Sequence, residues 1–189
     1  NLASAMIADM WMVTSDKLDE QFGAGGTKLT VWQKKAEDLL PSAAAHPPTG
    51  RVCVVVAAYN ESRVIGGPVR SLRAETYPQL RFVLALDRCT DDTAALARAE
   101  IANDDRFEIV EIDACPDGWV GKVHALHAGV TRARAPAEAE FLLFADADTL
   151  FAPGCIASAL ALMRDRRLDL LSLLSTLTHD TWFERVVQT

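Results

Sequence analysis

A chain of 189 residues, half of them apolar, has the material for one ordinary domain with a sizeable core. Its formal charge of −7 and isoelectric point of about 5.1 argue against nucleic acid as a partner, because such a surface needs a basic stripe. No apolar run reaches the roughly 18 to 20 residues of a membrane-crossing helix. Residues 2–13 are mostly apolar, but Asp9 interrupts them and the basic flank of a signal peptide is missing.

Residues 1–50 read as an N-terminal helical segment and linker. A short helix is expected over 30–40, and 41–50, with His46-Pro47-Pro48, reads as the linker. From Arg51 the texture changes. The β-branched run Val52 to Ala58 predicts a strand that ends in Tyr59-Asn60-Glu61, with a helix following to about Ala74. A second strand is expected over 81–86, then a helix over 92–101 that Thr90 or Asp91 can cap. Further strands are expected over 107–112 and in the run entering Asp146, with helices over 120–134 and 153–166 and a last strand over 168–174. Strands alternating with helices of this length predict an α/β fold with a mainly parallel sheet. Cys53, Cys89, Cys115 and Cys155 are widely spaced and form no CxxC pair, so they read as reduced thiols of an intracellular protein. The chain begins at Asn1 and stops inside a helix expected from about Thr181, so it reads as a fragment, with 51–189 a truncated domain.

Three of the strands end in polar clusters: Tyr59 to Glu61, Asp87, and the pair Asp146 and Asp148. Each could be a loop or cap residue. Together they face one edge of one sheet, where ligands of open α/β folds collect. Asp146 and Asp148 point the same way if the strand geometry persists between them. Two carboxylates there suit Mg²⁺ or Mn²⁺. Lys122, at a helix start, could meet a diphosphate beside free backbone N–H groups, or be an ordinary surface lysine. His124 and His127 imitate a metal pair but read as packed or solvated side chains. The first turn lacks G-x-G-x-x-G, which excludes a dinucleotide site of that type, and no Walker A loop is present. Asp146 to Leu150 also resembles the nucleophile motif of haloacid dehalogenase phosphatases. It lacks the residue between the second aspartate and the threonine, and no lysine follows it.

The ordered set Val54 to Glu61, Ser71-Leu72 with Tyr77-Pro78, Asp87 to Thr93, Gly121-Lys122 with Ala125-Leu126 and Gly129, and Asp146 to Asp148 closely resembles family 2 glycosyltransferases of the GT-A fold. Gly118 to Lys122, Leu168 to Ser172 and Trp182 to Arg185 look most like the branch associated with hopanoid biosynthesis. Ala58 stands where that family commonly has proline, and Leu86-Asp87-Arg88 replaces paired acids and a glycine. The resemblance implies a metal-dependent, inverting transfer of a sugar from a nucleotide-diphosphate donor, a UDP-sugar by expectation, to a lipid or saccharide hydroxyl. Ala57, Ala58, Tyr59 and Glu61 would line the nucleotide pocket, with Tyr59 stacking on the base and Asp87 accepting from a uracil-like N–H. Lys122 would approach the diphosphate or sugar, Asp146 the ribose or metal, and Asp148 the metal. The general base would lie beyond Thr189; Glu184 reads instead as a surface residue. The whole protein would be cytoplasmic, at the membrane face. The alternative is a nucleotide-sugar-binding module without turnover.

Overall fold

A computed structural model describes residues 10–14, 31–35 and 49–174. Seven strands form one sheet in the order β2-β7-β1-β6-β3-β4-β5. They are β1 (Met10–Thr14), β2 (Val31–Lys35), β3 (Val52–Ala58), β4 (Leu80–Asp87), β5 (Phe107–Ile112), β6 (Phe141–Asp146) and β7 (Leu170–Leu174). The helices are α1 (Gly66–Arg73), α2 (Thr93–Ile101), α3 (Gly121–Arg132), α4 (Ala135–Glu138) and α5 (Cys155–Arg166). The block β6-β3-β4-β5 is wholly parallel. β1 runs antiparallel between β6 and β7, and β2 pairs parallel with β7 at the edge.

Two readings of the N-terminal region change. Val31–Lys35, expected inside a helix, is a strand, because pairing with β7 along its whole length outweighs local preference. Met10–Thr14 is likewise a strand within the sheet rather than part of a helical segment. The expected linker up to residue 48 and the helix near Thr181 lie outside the described residues.

The period of two along β3 sorts its side chains onto two faces. Val52, Val54, Val56 and Ala58 join a core shared with Leu72 of α1, Ala97 of α2, and Ile156 and Leu160 of α5. Cys53 and Val55 point the other way, toward the side covered by α3 and α4. Both faces are dry, which is why β3 is a continuous apolar run instead of an alternating one. Burying each large side chain of this kind contributes about 1.5 to 3 kcal/mol. The cysteines follow the same division: Cys53 and Cys155 are buried, Cys89 and Cys115 half-buried, and all four are free thiols. Burial pushes the Cys53 thiol up to about 12 and the Cys155 thiol to about 11.

The helix expected over 120–134 breaks in two. Ala133 is extended, and α4 starts afresh with Pro136 in its first turn. Glu108 of β5 accepts the N–H groups of Arg134 and Ala135 at 3.0 and 2.9 Å, satisfying two donors that a helix start leaves free.

Connectivity fixes where a ligand can enter. From β3 the chain steps to β4 and β5 on one side, then returns through α3 and α4 to lay β6 against the other side of β3. The strand order therefore reverses between β3 and β6, and loops leaving their carboxyl ends diverge and open a crevice. Ala57 stands opposite Asp146 in that register, one residue before β3 ends.

Candidate functional site

At this crevice a cleft of about 340 Å³ is lined by Ala57, Ala58, Tyr59, Glu61, Asp87, Arg88, Gly121, Lys122, Ala125, Asp146, Ala147 and Asp148. All eight residues singled out from the sequence surround it. Arg88, Gly121, Ala125 and Ala147 join them. In the sequence Arg88 reads as a departure from the family pattern, and its signal is the charge set directly beside Asp87.

Asp87 ends β4 almost fully buried, and Arg88 grips it with both arms of its guanidinium. Nε donates to Oδ1 at 2.9 Å and Nη2 to Oδ2 at 2.8 Å. These bonds push the guanidinium further toward its charged form. Arg88 also lies 5.6 Å from the Tyr59 ring centre, a cation–π distance. Its backbone is left-handed, with φ of 48°, a conformation that costs a residue with a Cβ roughly 1 to 2 kcal/mol. The fork is possible because Gly121, at the start of α3, has no side chain. A Cβ there would stand 2.8 Å from Arg88 Nη2 and 3.1 Å from Asp87 Oδ2.

The loops after β3 and β4 are tied to each other. Asn60, also left-handed at φ 53°, accepts the Thr90 N–H at 2.8 Å through Oδ1. Asp91 accepts the Ser62 N–H at 3.1 Å and the Thr93 N–H at 3.0 Å. The N-cap of α2 is Asp92 rather than the expected Thr90 or Asp91, while Asp91, one residue earlier, holds the N–H of the first helical residue. Hydrogen bonds led by the Thr93 hydroxyl lower the Asp91 carboxyl to about 2.

On the other side of the cleft, β6 stops at Asp146 and the chain turns, with the Thr149 N–H donating to the Asp146 carbonyl at 3.2 Å. The extended geometry that would align Asp146 and Asp148 therefore ends at the first of them. Both still line the cleft, Asp148 being the exposed one. Lys122 Nζ donates to Asp146 Oδ1 at 2.5 Å, an ion pair between residues expected to touch different parts of a ligand. His124 and His127 take no part in the cleft lining. Trp119 packs against both rings, at 5.5 and 4.9 Å between centres, and His124 is buried.

Among the described residues no three His, Cys, Asp or Glu side chains group closely enough to hold a metal by themselves. The cleft nevertheless suits a hard divalent cation. Four carboxylates face two cations around it, a formal charge of −2, so an entering diphosphate would need a positive bridge. Asp146 and Asp148 offer oxygen ligands at the open end, and Mg²⁺ or Mn²⁺ characteristically adds waters and phosphate oxygens to one or two carboxylates. The residues present fit such an ion.

Fold and cleft together define an α/β protein with an open, net-acidic cleft at a topological switch point. The sequence profile of glycosyl transferase family 2 matches residues 53–185, and the chain belongs to that family. Among solved structures it is similar to the mannosyltransferase PcManGT from Pyrobaculum calidifontis in complex with GDP-Man and Mn²⁺. The identity is 27% and the TM-score 0.51, over 68% of this chain and 37% of that one. S. aureus TarS 1-349 is similar at 20% identity and TM-score 0.52, over 62% of this chain and 33% of that one. The same protein in complex with UDP-GlcNAc matches at 20% and 0.52, over 62% and 32%. The chain thus spans about a third of the length of these structures. They share its GT-A fold, a mainly parallel sheet with flanking helices. No curated protein matches the chain.

Proposed function

We propose that this chain binds a nucleoside diphosphate sugar and that the protein it belongs to transfers the sugar to an acceptor hydroxyl. The observation that carries this reading is the cleft where β3 and β6 part. There an exposed aromatic ring, a buried carboxylate, a lysine at a helix start and two open-end carboxylates converge. In the proposed assignment Ala57, Ala58, Tyr59, Glu61 and Asp87 hold the nucleoside. Lys122 approaches the diphosphate, Asp146 the ribose or metal, and Asp148 the metal. A bound Mg²⁺ or Mn²⁺ would stabilise, as a Lewis acid, the charge developing on the leaving diphosphate. The mannosyltransferase relative, described with GDP-Man and Mn²⁺, supports a nucleotide-sugar donor and a metal.

The finer proposal is an inverting enzyme that uses a UDP-sugar and a lipid acceptor of the hopanoid kind, working at the cytoplasmic face of a membrane. It rests on the resemblance of Gly118 to Lys122 and Leu168 to Ser172 to that branch. Calorimetric titration of this chain with UDP- and GDP-sugars, with and without Mn²⁺, tests the donor assignment. Mn²⁺-dependent binding is expected, and Asp148→Asn should abolish it without shifting the unfolding midpoint, since an exposed carboxylate adds little to the core. Equal affinity in variant and parent with Mn²⁺ present would refute the metal role of Asp148.

A further inference from the structure

Ser71 and Tyr77 belong to the sequence pattern of the family, yet neither lines the cleft. The Tyr77 hydroxyl donates to the Gly50 carbonyl at 2.7 Å, just ahead of β3. Ser71 and the nearby Glu75 face instead the chain that leaves the turn carrying Asp148. Ser71 Oγ accepts the Phe151 N–H at 3.1 Å and donates its own hydrogen to the Pro68 carbonyl at 2.8 Å. Glu75 Oε2 accepts the Gly154 N–H at 3.2 Å. Gly67 belongs to the same stripe: a Cβ there would stand 3.1 Å from Leu150 Cδ2. Gly67, Ser71 and Glu75 recur at four-residue steps, the spacing of one helix face. Leu150, Phe151 and Gly154 are thus laid along one side of α1 and the turn that closes it.

Glu75 holds its N–H at a cost in stability. The residue is only 3% exposed, and its Oε1 has no hydrogen-bond partner among the described residues. Burial pushes the carboxyl above its ordinary value, while backbone N–H groups, that of Gly154 first, pull it back. A buried carboxylate with an unmatched oxygen calls for a reason beyond packing. The reason lies in what the bonded segment carries. Upstream of Asp148, β6 ends at Asp146 in the middle of the sheet, and Ala147 is buried. Downstream, Phe151 is buried and bonded to Ser71. With both ends held, the exposed Asp148 has little room to move and stays with Asp146 in the cleft lining.

We propose that Ser71 and Glu75 are positioning residues for the cation: by fixing the downstream arm of the acidic turn on α1, they hold Asp148 where it can share a divalent ion with Asp146. This rests on the reading of the cleft as a metal-assisted nucleotide site. Neither residue touches the ion or the nucleotide. They act through the backbone of Phe151 and Gly154. The turn into α1 starts at the cleft residue Glu61, whose carbonyl accepts the N–H groups of Val64 and Ile65. The helix thereby links the loop after β3 to the loop after β6. Ligands held in place bind a cation more tightly than ligands that must be ordered on binding.

The test is Mn²⁺ titration of the nucleotide-free chain, followed by electron paramagnetic resonance, for the parent, Ser71→Ala, Glu75→Met and Glu75→Gln. Amide hydrogen exchange over 149–154 and the urea midpoint are read on the same proteins without metal. Ser71→Ala removes one hydrogen bond at a half-buried position. Its Mn²⁺ affinity should fall about fivefold, and exchange in the segment should quicken. Glu75→Met should act alike by freeing the Gly154 N–H. Glu75→Gln keeps the accepting oxygen, so it should bind Mn²⁺ as the parent does. A purely structural role would lower the urea midpoint and leave Mn²⁺ affinity alone. Parent-like Mn²⁺ affinity in Ser71→Ala would therefore overturn the proposal, whatever its midpoint, and leave the cation site standing. An equal loss in Glu75→Gln and Glu75→Met would overturn the part given to Glu75. Should Glu75→Met fail to fold, Ser71→Ala decides alone. A parent that takes up no Mn²⁺, with or without UDP, would overturn this inference and the metal reading together.

Discussion

Lys122→Met is the perturbation that most sharply separates a diphosphate-binding role for this end of the cleft, as proposed, from a passive surface. In the parent, Nζ stands 2.5 Å from Asp146 Oδ1. At an effective dielectric near 20, unit charges at that separation attract by about 7 kcal/mol before solvation is counted. Both side chains are more than a third exposed, at 39% and 34%. Screening and the lost hydration of the two groups reduce the net value to about 1 kcal/mol. Replacing the ammonium with an isosteric apolar group frees Asp146 for a cation. Mn²⁺ affinity in the absence of nucleotide should therefore rise about fivefold. The diphosphate loses a partner in the same step, so UDP affinity at saturating Mn²⁺ should fall. Opposite shifts from one substitution are the signature. Mn²⁺ titration followed by electron paramagnetic resonance reads the first, and calorimetry with UDP the second. Mn²⁺ affinity that is unchanged or lowered in Lys122→Met would mean that Asp146 is no part of a cation site, and the reasoning would fail.

Two further predictions concern the frame that carries the cleft. A Cβ at Gly129 would lie 2.8 Å from Val55 Cγ1 and 3.3 Å from Ala85 Cβ. Gly129→Ala should thus cost about 1 to 3 kcal/mol of overpacking against about 1 kcal/mol gained in helix preference. A lower urea midpoint is expected, and an equal or higher one would show that α3 yields freely. Asp91 has a folded pKa of about 2 against an ordinary 3.8. Its contribution to stability is present above the ordinary value and disappears as pH falls through the folded one. The difference in thermal midpoint between the parent and Asp91→Ala should narrow as pH is lowered from 3.8 to about 2. A gap constant over that window would refute the assigned hydrogen bonds.

The parallel block was legible because three of its strands, β3, β4 and β6, are buried on both faces, and the half-buried edge strand β5 is itself rich in isoleucine and valine. Val52–Ala58 is an unbroken β-branched and small apolar run, and Phe107–Ile112 fell where the pattern put it. Val31–Lys35, with a glutamine and two lysines, has no such pattern; it becomes a strand only because β7 is available to pair with it. Likewise nothing local in Met10–Thr14 says that it will run antiparallel between two parallel strands. At the site, each expected residue lies at or just after the carboxyl end of a strand or opens a helix, so topology alone gathers them. The pairing of Lys122 with Asp146 joins residues 24 apart in sequence, across a crossover. The clearance that Gly121 gives Arg88 depends on how closely α3 approaches the end of β4. Both are matters of distance that spacing does not encode.

The two sides of the cleft are also built differently, and the difference bears on what each can do. On the side proposed to hold the nucleoside, the loops after β3 and β4 are braced by the Asn60–Thr90 and Ser62–Asp91 bonds and by the fork between Arg88 and Asp87. Two of these residues are held in the left-handed region. Such a surface loses little freedom when a ligand arrives. On the side proposed to meet the diphosphate, the ion pair of Lys122 and Asp146 is half exposed, and Asp148 stands in the open turn beyond it. An exposed pair worth about 1 kcal/mol can be exchanged for bonds to a diphosphate and its cation without disturbing the core. A braced wall next to a pair that can trade partners is what the proposed nucleotide site would need if selection and charge neutralisation were separate tasks. The fold supplies it by placing β4 and β6 on opposite sides of β3.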